Sequence, residues 1–282
     1  NRPLIGLVEN TETKEQKLQW LQLKWLRLKT ASMNFLGLIP ARYGSTRFEG
    51  KPLQDICGKT MIQRVYEKAV EALDSVYVAT DDKRIADAVE AFGGKFIMTS
   101  EDHENGTSRC LEAWNKIKEL EGDTFDVAIN IQGDEPLLNP ESIQHIKACF
   151  NDASTEFATL VIPAKKKEDV TDGNGVFVTL NAQMNALYFS RAVIPALRNF
   201  PREEWFANHH YYKHLGMYAY TYSALSEFSK MPAGALEMAE MLEQNRWIEN
   251  GRQIKVGITP HEVIAVDTPE DLEKVRKIVS QQ

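Results

Sequence analysis

The chain has 282 residues, the length of one large domain or of one domain with an added lobe. Hydrophobic residues make up 43% and charged residues 26%, which excludes a chain that is disordered throughout. The formal charge of −7 argues against a protein that binds nucleic acid or an anionic membrane. Three scattered cysteines without a C-x-x-C pair exclude a disulfide scaffold and predict a cytoplasmic protein. No apolar run reaches roughly 18 residues, so we expect no membrane insertion.

The segment before Met33 differs from the rest of the chain. Residues 18–29 are rich in apolar and basic residues, as in an amphipathic helix that lies on a membrane surface. We favour the alternative, that residues 1–32 are an added or translated upstream extension with no role in the fold. Polar residues interrupt each apolar stretch, which argues against a signal peptide. We therefore expect a single domain over residues 33–282.

Apolar periodicity after Met33 predicts alternating strands and helices. Strands are predicted at residues 35–39, 75–80, 96–98 and 125–131, with helices between them whose apolar residues recur at helical spacing. Asp82 is placed to open one of these helices. This βαβ order predicts an α/β fold with a mainly parallel sheet covered by helices on both faces. Functional loops are then expected at the carboxyl ends of the strands.

The pattern changes at residues 155–222, where four short strands are predicted at 157–162, 175–180, 186–189 and 214–221. We interpret this segment as a small strand-rich lobe that forms a pairing surface. Helices resume at residues 235–248, where Met238, Met241 and Leu242 form an apolar stripe. A strand at 254–258 and a last helix at 269–279 complete the predicted elements.

The loop after the first strand is rich in cations, hydroxyls and glycines. Arg42, Arg47 and Lys51 lie there together with Ser45 and two glycines, just before a helix. Glycines let backbone amides turn toward an anion, and the cations supply charge, so the loop suits a triphosphate. The spacing fits neither a Walker A loop nor G-x-G-x-x-G. A solvated basic loop is an equal alternative on this evidence alone.

Two aspartates stand at positions suited to a metal ion. Asp134 directly follows the buried strand at 125–131, and Mg²⁺ prefers hard oxygen ligands. For a lone aspartate, a simple turn is the commoner explanation. Asp267 precedes Thr268, which can cap the last helix with Asp271 completing the capping pattern. Because the cap does not need Asp267, this residue is a candidate second metal ligand.

Three further segments carry polar residues that could bind a ligand. Asn105 and Arg109 lie at a helix start and could hydrogen-bond a base edge, although a capped helix explains the segment as well. His214 and Tyr218 share one face of a strand, where a structural histidine is the more common case. Glu243, with its neighbour Gln244 on the predicted helix, could face a polyol.

Eight motifs occur in an order that resembles one family. They are IPARYGSTRFEGKPL, VATDD, DHENGTSR, NIQGDEP, LYFSRAVIP, HLGMYAY, LEMAEMLEQ and VDTPEDL. Over residues 33–279 the chain is similar to the 3-deoxy-manno-octulosonate (Kdo) cytidylyltransferases, also called CMP-Kdo synthetases. NIQGDEP and the first loop are shared with the wider group of sugar nucleotidyltransferases. HLGMYAY and the LEQ segment point more narrowly to Kdo.

The resemblance implies a Rossmann-like nucleotide-diphospho-sugar transferase fold, a homodimer paired through the strand-rich lobe, and Mg²⁺-dependent transfer of CMP from CTP to Kdo for lipopolysaccharide synthesis. It assigns residues to CTP as follows: Ala41, Arg42, Ser45, Arg47, Lys51, Thr80, Asn105, Gly106 and Arg109. The metal falls to Asp134 and Asp267, which with Arg42 and Lys51 form the expected catalytic set. The sugar acid falls to Gln132, Arg191, His214, Tyr218, Glu243 and Gln244.

The chain departs from the family pattern at several positions. Phe48-Glu49 replaces a common Leu-Pro, Ser108 a frequent glutamate, Phe177 a lysine and Asn245 a leucine. None of these changes removes a proposed metal ligand or phosphate contact. Two alternatives stay open: a sister enzyme that activates an acylneuraminate or an amino-Kdo, and a non-catalytic nucleotide sensor. Retention of both Asp134 and Asp267 argues against the sensor, because binding alone does not require a metal at the α-phosphate.

Overall fold

The structure is a computed structural model that describes residues 33–44, 48–173 and 175–281. The expected N-terminal extension at 1–32 lies outside these described residues, as do Ser45 and Arg47. Among the described residues, no helix is both long and apolar enough to cross a membrane.

Strands make up the centre of the fold. In chain order they are β1 Phe35–Ala41, β2 Asp55–Ile56, β3 Lys59–Thr60, β4 Ser75–Thr80, β5 Phe96–Met98, β6 Val127–Asn130, β7 Phe157–Pro163, β8 Phe177–Leu180, β9 Ala186–Ser190, β10 Tyr212–Thr221 and β11 Lys255–Ile258. Within the described ranges the main sheet has the order β11-β7-β10-β6-β1-β4-β5. β6, β1, β4 and β5 run parallel, whereas β10 is antiparallel to both β6 and β7. The mainly parallel mixed sheet is as predicted.

Helices connect and cover the strands. They are α1 Met61–Val70, α2 Lys83–Ala91, α3 Gly106–Glu121, α4 Pro140–Ala148, α5 Lys167–Thr171, α6 Trp205–Asn208, α7 Tyr222–Phe228, α8 Ala235–Glu240, α9 Asn245–Glu249 and α10 Pro269–Val279, with 3₁₀ turns at Lys51–Leu53, Cys149–Asn151 and Arg202–Glu204. Short polar residues open several of them: Thr60, Asp82, Asn105 and Thr268 each accept a hydrogen bond from a backbone N–H in the first turn.

The two faces of the sheet are buried by different helices. Leu36 and Leu38 of β1 belong to the same buried cluster as Trp114 of α3. Ile39 points to the opposite face, because successive strand residues alternate, and the buried Ile62 of α1 lies beside it. Each face of β1 is therefore covered, and the carboxyl end of this strand is left as the place where a ligand can approach.

The strands predicted over 155–222 are present, but they do not form a lobe of their own. β7 and β10 lie inside the main sheet, where β10 pairs with β6 and β7. β8 and β9 extend from it, because β8 pairs with the first two residues of β10 and β9 pairs with β8. The segment thus contributes two strands to the main sheet and a hairpin, β8 and β9, that extends from it.

The apolar stripe predicted over 235–248 is wrong. Helix α8 ends at Glu240, and the next residue, Met241, adopts a left-handed backbone conformation with φ of 53°. Met238 and Met241 are 63% and 73% exposed, while Leu242 and Gln244 turn inward and are buried. After Met241, Glu243 is bonded to Thr107 and Gln244 to Tyr218. A continuous helix would place these two side chains elsewhere, so the helix ends before them.

Candidate active site

A cavity of about 290 Å³ opens at the carboxyl ends of β1 and β6, beside the start of α3. It brings together nine of the residues that the sequence singled out: Ala41, Arg42, Lys51, Asn105, Gly106, Arg109, Gln132, Asp134 and Asp267. The cavity therefore joins the basic loop, the capped helix start and both candidate metal ligands, which lie up to 226 positions apart from Ala41 to Asp267 in the chain. This is the place where a parallel sheet presents its loops.

Asp134 and Asp267 meet at one ammonium group. Lys51 Nζ lies 2.7 Å from Asp134 Oδ2 and 3.5 Å from Asp267 Oδ1. The backbone fixes this meeting, because Val266 N donates a hydrogen bond of 2.9 Å to the carbonyl oxygen of Asp134. Thr268 caps α10 with Asp271 as its partner, so the Asp267 carboxylate is left for other contacts, as the sequence predicts.

The two carboxylates suit a magnesium ion that is shared with a phosphate. Among the described residues no group of three or more histidine, cysteine, aspartate or glutamate side chains could hold a metal. Mg²⁺ does not need such a cage, because it commonly binds one or two carboxylates together with water and substrate phosphates. A cation already sits between Asp134 and Asp267 in the form of Lys51, which shows that the pair presents negative charge to one point. The adjacent Glu135 is buried, and loss of hydration followed by the charge of Asp134 raises its pKa to about 8.

The basic loop is closed by its backbone. Gly50 N donates to Tyr43 O at 3.0 Å, and Gly50 has a φ of 65°, which only glycine adopts without strain. A Cβ at this position would lie 3.1 Å from the Tyr43 ring. The turn therefore delivers Lys51 to the cavity while Arg42 lines the other side.

The start of α3 forms the third wall. Asn105 caps the helix, since its Oδ1 accepts from Ser108 N at 2.9 Å. Gly106 allows β1 to approach, because a Cβ there would lie 3.2 Å from Pro40 Cγ. Asn105 and Gly106 thus present the helix start, with its unpaired backbone amides, to the cavity.

Arg109 is occupied by protein groups. Its guanidinium donates to Asp81 Oδ2 at 2.7 Å and to Thr99 Oγ1 at 2.6 Å. The residue lines the cavity but is only 3% exposed, so its visible role is to tie the turn after β4 to α3. Thr80, the last residue of β4, is fully buried and does not line the cavity.

The residues expected around the sugar form a second cluster. Tyr218 OH donates to Gln244 Oε1 at 3.1 Å, and the rings of His214 and Tyr218 are 5.4 Å apart. Gln132 joins this cluster to the cavity, since it lines the cavity and its Nε2 donates to Gly216 O at 2.8 Å. Arg191 lies to one side, bonded to the carbonyl oxygens of residues 240 and 241.

Burial sets the protonation of this cluster. Loss of hydration lowers the pKa of His214 to about 3, so the imidazole is neutral and hydrogen-bonds Thr159 Oγ1 at 2.9 Å. It also raises the pKa of Tyr218, which keeps the phenol protonated. The pKa of Glu243 is raised by loss of hydration and is held back by a hydrogen bond of 2.8 Å from Thr107 Oγ1.

Sequence reasoning missed residues that only the tertiary structure reveals. Asp81 and Thr107 were not singled out, although each is bonded to a residue that was. Asn130, at the end of β6, lies opposite Tyr218 on β10 and was also missed.

Comparison with known proteins agrees with this geometry. A cytidylyltransferase family model matches residues 36–254. The chain belongs to the cytidylyltransferase family. The 3-deoxy-manno-octulosonate cytidylyltransferase of Parabacteroides distasonis is 55% identical over 246 residues, which cover 86% of this chain and 96% of the relative. The 8-amino-3,8-dideoxy-manno-octulosonate cytidylyltransferase of Shewanella sediminis is 49% identical over 244 residues, 85% of this chain and 96% of the relative.

A solved structure supports the same family. It is a CMP:2-keto-3-deoxy-manno-octonic acid synthetase in complex with CTP, 41% identical, with a TM-score of 0.79, covering 88% of this chain and 99% of that one. The predicted Rossmann-like nucleotide-diphospho-sugar transferase fold is therefore confirmed, and the chain is a nucleotidyltransferase.

Two departures from the family pattern have a structural role in this cytidylyltransferase. Phe177 packs in a buried cluster with Val170 and Tyr211, so no polar contact is made there. Asn245 is fully buried and bonds both backbone groups of Phe189, accepting from its N–H at 3.3 Å and donating to its carbonyl at 2.9 Å. Asn245 thereby provides hydrogen-bond partners for backbone groups on the edge of β9 that faces away from β8.

Proposed function

We propose that this cytidylyltransferase transfers CMP from CTP to 3-deoxy-manno-octulosonate and releases pyrophosphate. The observation that carries the proposal is the adjacency of two unlike clusters. One cavity holds cations and paired carboxylates, as a metal-bound triphosphate requires, and Gln132 connects it to a hydrogen-bonding cluster suited to a polyol acid. Two similar relatives carry the name 3-deoxy-manno-octulosonate cytidylyltransferase, which agrees with this assignment.

CTP occupies the cavity in this proposal. Arg42 and Lys51 neutralise its phosphates together with Arg47 from the same loop, and the Ser45 hydroxyl donates a hydrogen bond to them. The start of α3, at Asn105 and Gly106, faces the nucleoside through its backbone amides. Ala41 lines the wall beside it, and Thr80 and Arg109 hold the neighbouring turn in place.

Asp134 and Asp267 would hold Mg²⁺. When bound, the ion supplies positive charge to the phosphate oxygens and helps to orient the reacting groups. The protein brings the two carboxylates to one point through the Val266–Asp134 backbone bond. Lys51 and Arg42 then stabilise the negative charge that grows on the leaving pyrophosphate.

The acid sugar is bound by the second cluster. Tyr218, Glu243 and Gln244 offer donors and acceptors to its hydroxyls, and neutral His214 adds one more partner. Its anomeric oxygen attacks the α-phosphorus, so a new C–O–P linkage forms while the bond to the β-phosphate oxygen breaks. The hydroxyl proton leaves to solvent or to a phosphate oxygen. The reaction needs no covalent enzyme intermediate, and its catalysis is positioning and charge neutralisation.

An amino-Kdo is the second candidate substrate. A relative named for the 8-amino sugar is 49% identical to this chain, against 55% for the first relative named for Kdo. Glu243 could hold an ammonium group as well as a hydroxyl. We favour Kdo because it is the substrate named for the more similar relatives.

The test is release of pyrophosphate across the four nucleoside triphosphates with Kdo, 8-amino-Kdo and N-acetylneuraminate, with and without Mg²⁺. We expect the highest kcat/KM for the pair CTP and Kdo, and no turnover without a divalent cation. A higher value for N-acetylneuraminate would overturn the sugar assignment and leave the cytidylyltransferase assignment intact.

We also propose that the enzyme acts in the cytoplasm as a homodimer, in lipopolysaccharide synthesis. Cys57, Cys110 and Cys149 are all free thiols, which agrees with a reducing compartment. The pairing surface is assigned to the hairpin of β8 and β9. Light scattering on the purified protein measures the mass directly, and a monomer at micromolar concentration contradicts the dimer.

A further inference from the structure

Two buried polar atoms beside Tyr218 have no hydrogen-bond partner among the described residues. They are the amide oxygen of Asn130 and the amide nitrogen of Gln244. Asn130 is 4% exposed and lies opposite Tyr218 across the β6–β10 pair. Gln244 is 3% exposed and uses its oxygen to accept from Tyr218 OH. Most buried polar atoms in proteins are paired, so two unpaired atoms around one side chain require an explanation.

Asn130 lies between the cavity proposed for the nucleotide and the second cluster, around Tyr218, that is proposed for the sugar. A Cβ on Gly106, which lines the cavity, would be 3.8 Å from Asn130 Nδ2, so the amide of Asn130 lies directly behind the cavity wall at the start of α3. Gln132, two residues after the end of β6, lines the cavity, and its Nε2 donates to the carbonyl oxygen of Gly216 on β10. The amide of Asn130 is thus placed where the two substrates have to meet.

A second buried asparagine shows what a structural role looks like in this protein. Asn245 is fully buried, and both atoms of its amide are bonded to the backbone of Phe189. Asn130 shares the residue type and the burial but leaves its oxygen unpaired. An unpaired buried polar group destabilises a fold by about 1–3 kcal/mol, so the fold itself gives no reason to keep an amide at Asn130.

We propose that Asn130 is a further sugar-binding residue, whose amide oxygen accepts a hydrogen bond from a hydroxyl of the acid sugar while Gln244 Nε2 donates one. A hydroxyl both donates and accepts, so an acceptor and a donor on either side of Tyr218 fit a polyol better than they fit a phosphate. The inference rests on the proposed function and adds a specificity-determining residue to it. A sugar that lacks the hydroxyl leaves Asn130 unpaired and is rejected.

The experiment compares wild type, Asn130→Ala and a control, Asn115→Ala, by kinetics with CTP and Kdo and by thermal unfolding without substrates. Asn115 accepts from Tyr222 OH at 2.8 Å on α3 and belongs to neither proposed cluster. We expect Asn130→Ala to raise the KM for Kdo roughly tenfold and to leave the KM for CTP within about twofold, because one hydrogen bond to the sugar is lost. Its Tm is expected to equal or exceed that of wild type, whereas Asn115→Ala lowers Tm and leaves both KM values unchanged.

Three results would overturn the inference. They are an unchanged KM for Kdo in Asn130→Ala, a rise confined to the KM for CTP, and a fall in Tm as large as that of Asn115→Ala. The wild-type assay separates this outcome from failure of the proposed function. A wild-type enzyme that does not convert CTP and Kdo refutes the function, whereas normal conversion with an unaffected Asn130→Ala refutes only the role of Asn130.

Discussion

The hydrogen bond from Thr107 to Glu243 should control the pH range in which the sugar is used. Thr107 is 3% exposed, and its Oγ1 lies 2.8 Å from Glu243 Oε2. Glu243 is half-buried, and its pKa is raised because loss of hydration disfavours the carboxylate. The Thr107 hydroxyl opposes that effect, as does the charge of Arg246. Replacing Thr107 with valine keeps the shape of the side chain and removes the hydroxyl.

The size of the effect follows from the bond that is lost. A hydrogen bond to a charged group contributes about 1.5–3 kcal/mol, which is a roughly ten- to hundredfold change in the ratio of carboxylate to carboxylic acid. The pKa of Glu243 therefore rises further in Thr107→Val. The folded state already binds this proton more tightly than the unfolded state, so stability falls as pH rises from the ordinary glutamate range through the raised pKa. The substitution enlarges that fall and moves it to higher pH.

The assay is kcat/KM for Kdo as a function of pH at saturating CTP. We expect the acidic limb of the profile to move to higher pH in Thr107→Val, because the Glu243 carboxylate accepts hydrogen bonds from the sugar more strongly than the carboxylic acid does. Thr155→Val is the matched control, since it removes a buried hydroxyl that bonds Cys149 O at 2.9 Å, away from the site. An acidic limb that stays in place in Thr107→Val, or that moves equally in the control, refutes the reasoning.

Three other predictions follow from the cavity and the chain start. Asp134→Asn or Asp267→Asn should lower kcat by ~10²-fold or more with the fold intact by circular dichroism, because each removes half of the paired charge; a near-normal kcat at saturating Mg²⁺ removes that residue from the site. Lys51→Ala should raise the KM for CTP much more than the KM for Kdo, and an effect on Kdo alone means that the loop binds the other substrate. A chain that begins at Met33 should fold and keep its activity, and loss of solubility or turnover would make the extension part of the working enzyme.

Elements with strong local signals were predictable from the sequence. The bounds of β4, β5 and α10 agree with the predicted ranges, since each has a clear apolar pattern and α10 also has the Thr268 cap as a start signal. The broken segment after Met241 was not predictable, because its side chains are compatible with a helix and the break depends on bonds to distant elements. Glu243 is held by Thr107, 136 positions away, and Gln244 by Tyr218, 26 positions away.

The residues of the candidate site also divide into those that the sequence could predict and those that it could not. Asp134 and Asp267 could be proposed from the sequence. Asp134 follows a buried strand, and Asp267 precedes a helix cap that does not need it. Asn130 could not, because a buried asparagine at a strand end looks structural until its oxygen is found unpaired. Arg109 illustrates the opposite case, in which a cation that looked free for a ligand is neutralised by Asp81.

The charges around the cavity bear on how an acidic protein would bind the two anions of the proposed reaction. Arg109 is paired with Asp81, and Lys51 is shared between Asp134 and Asp267, so these five groups together carry one net negative charge. In the proposed function, a divalent cation held by Asp134 and Asp267 would reverse that sign and leave one net positive charge toward the phosphates. Affinity for the triphosphate then depends on the cation more than on the overall charge of −7. In the proposed function the sugar site works by a different principle: its histidine and phenol are neutral, so these two groups would select by hydrogen-bond geometry, and the unpaired amides of Asn130 and Gln244 would gain partners only from a sugar with the matching hydroxyls.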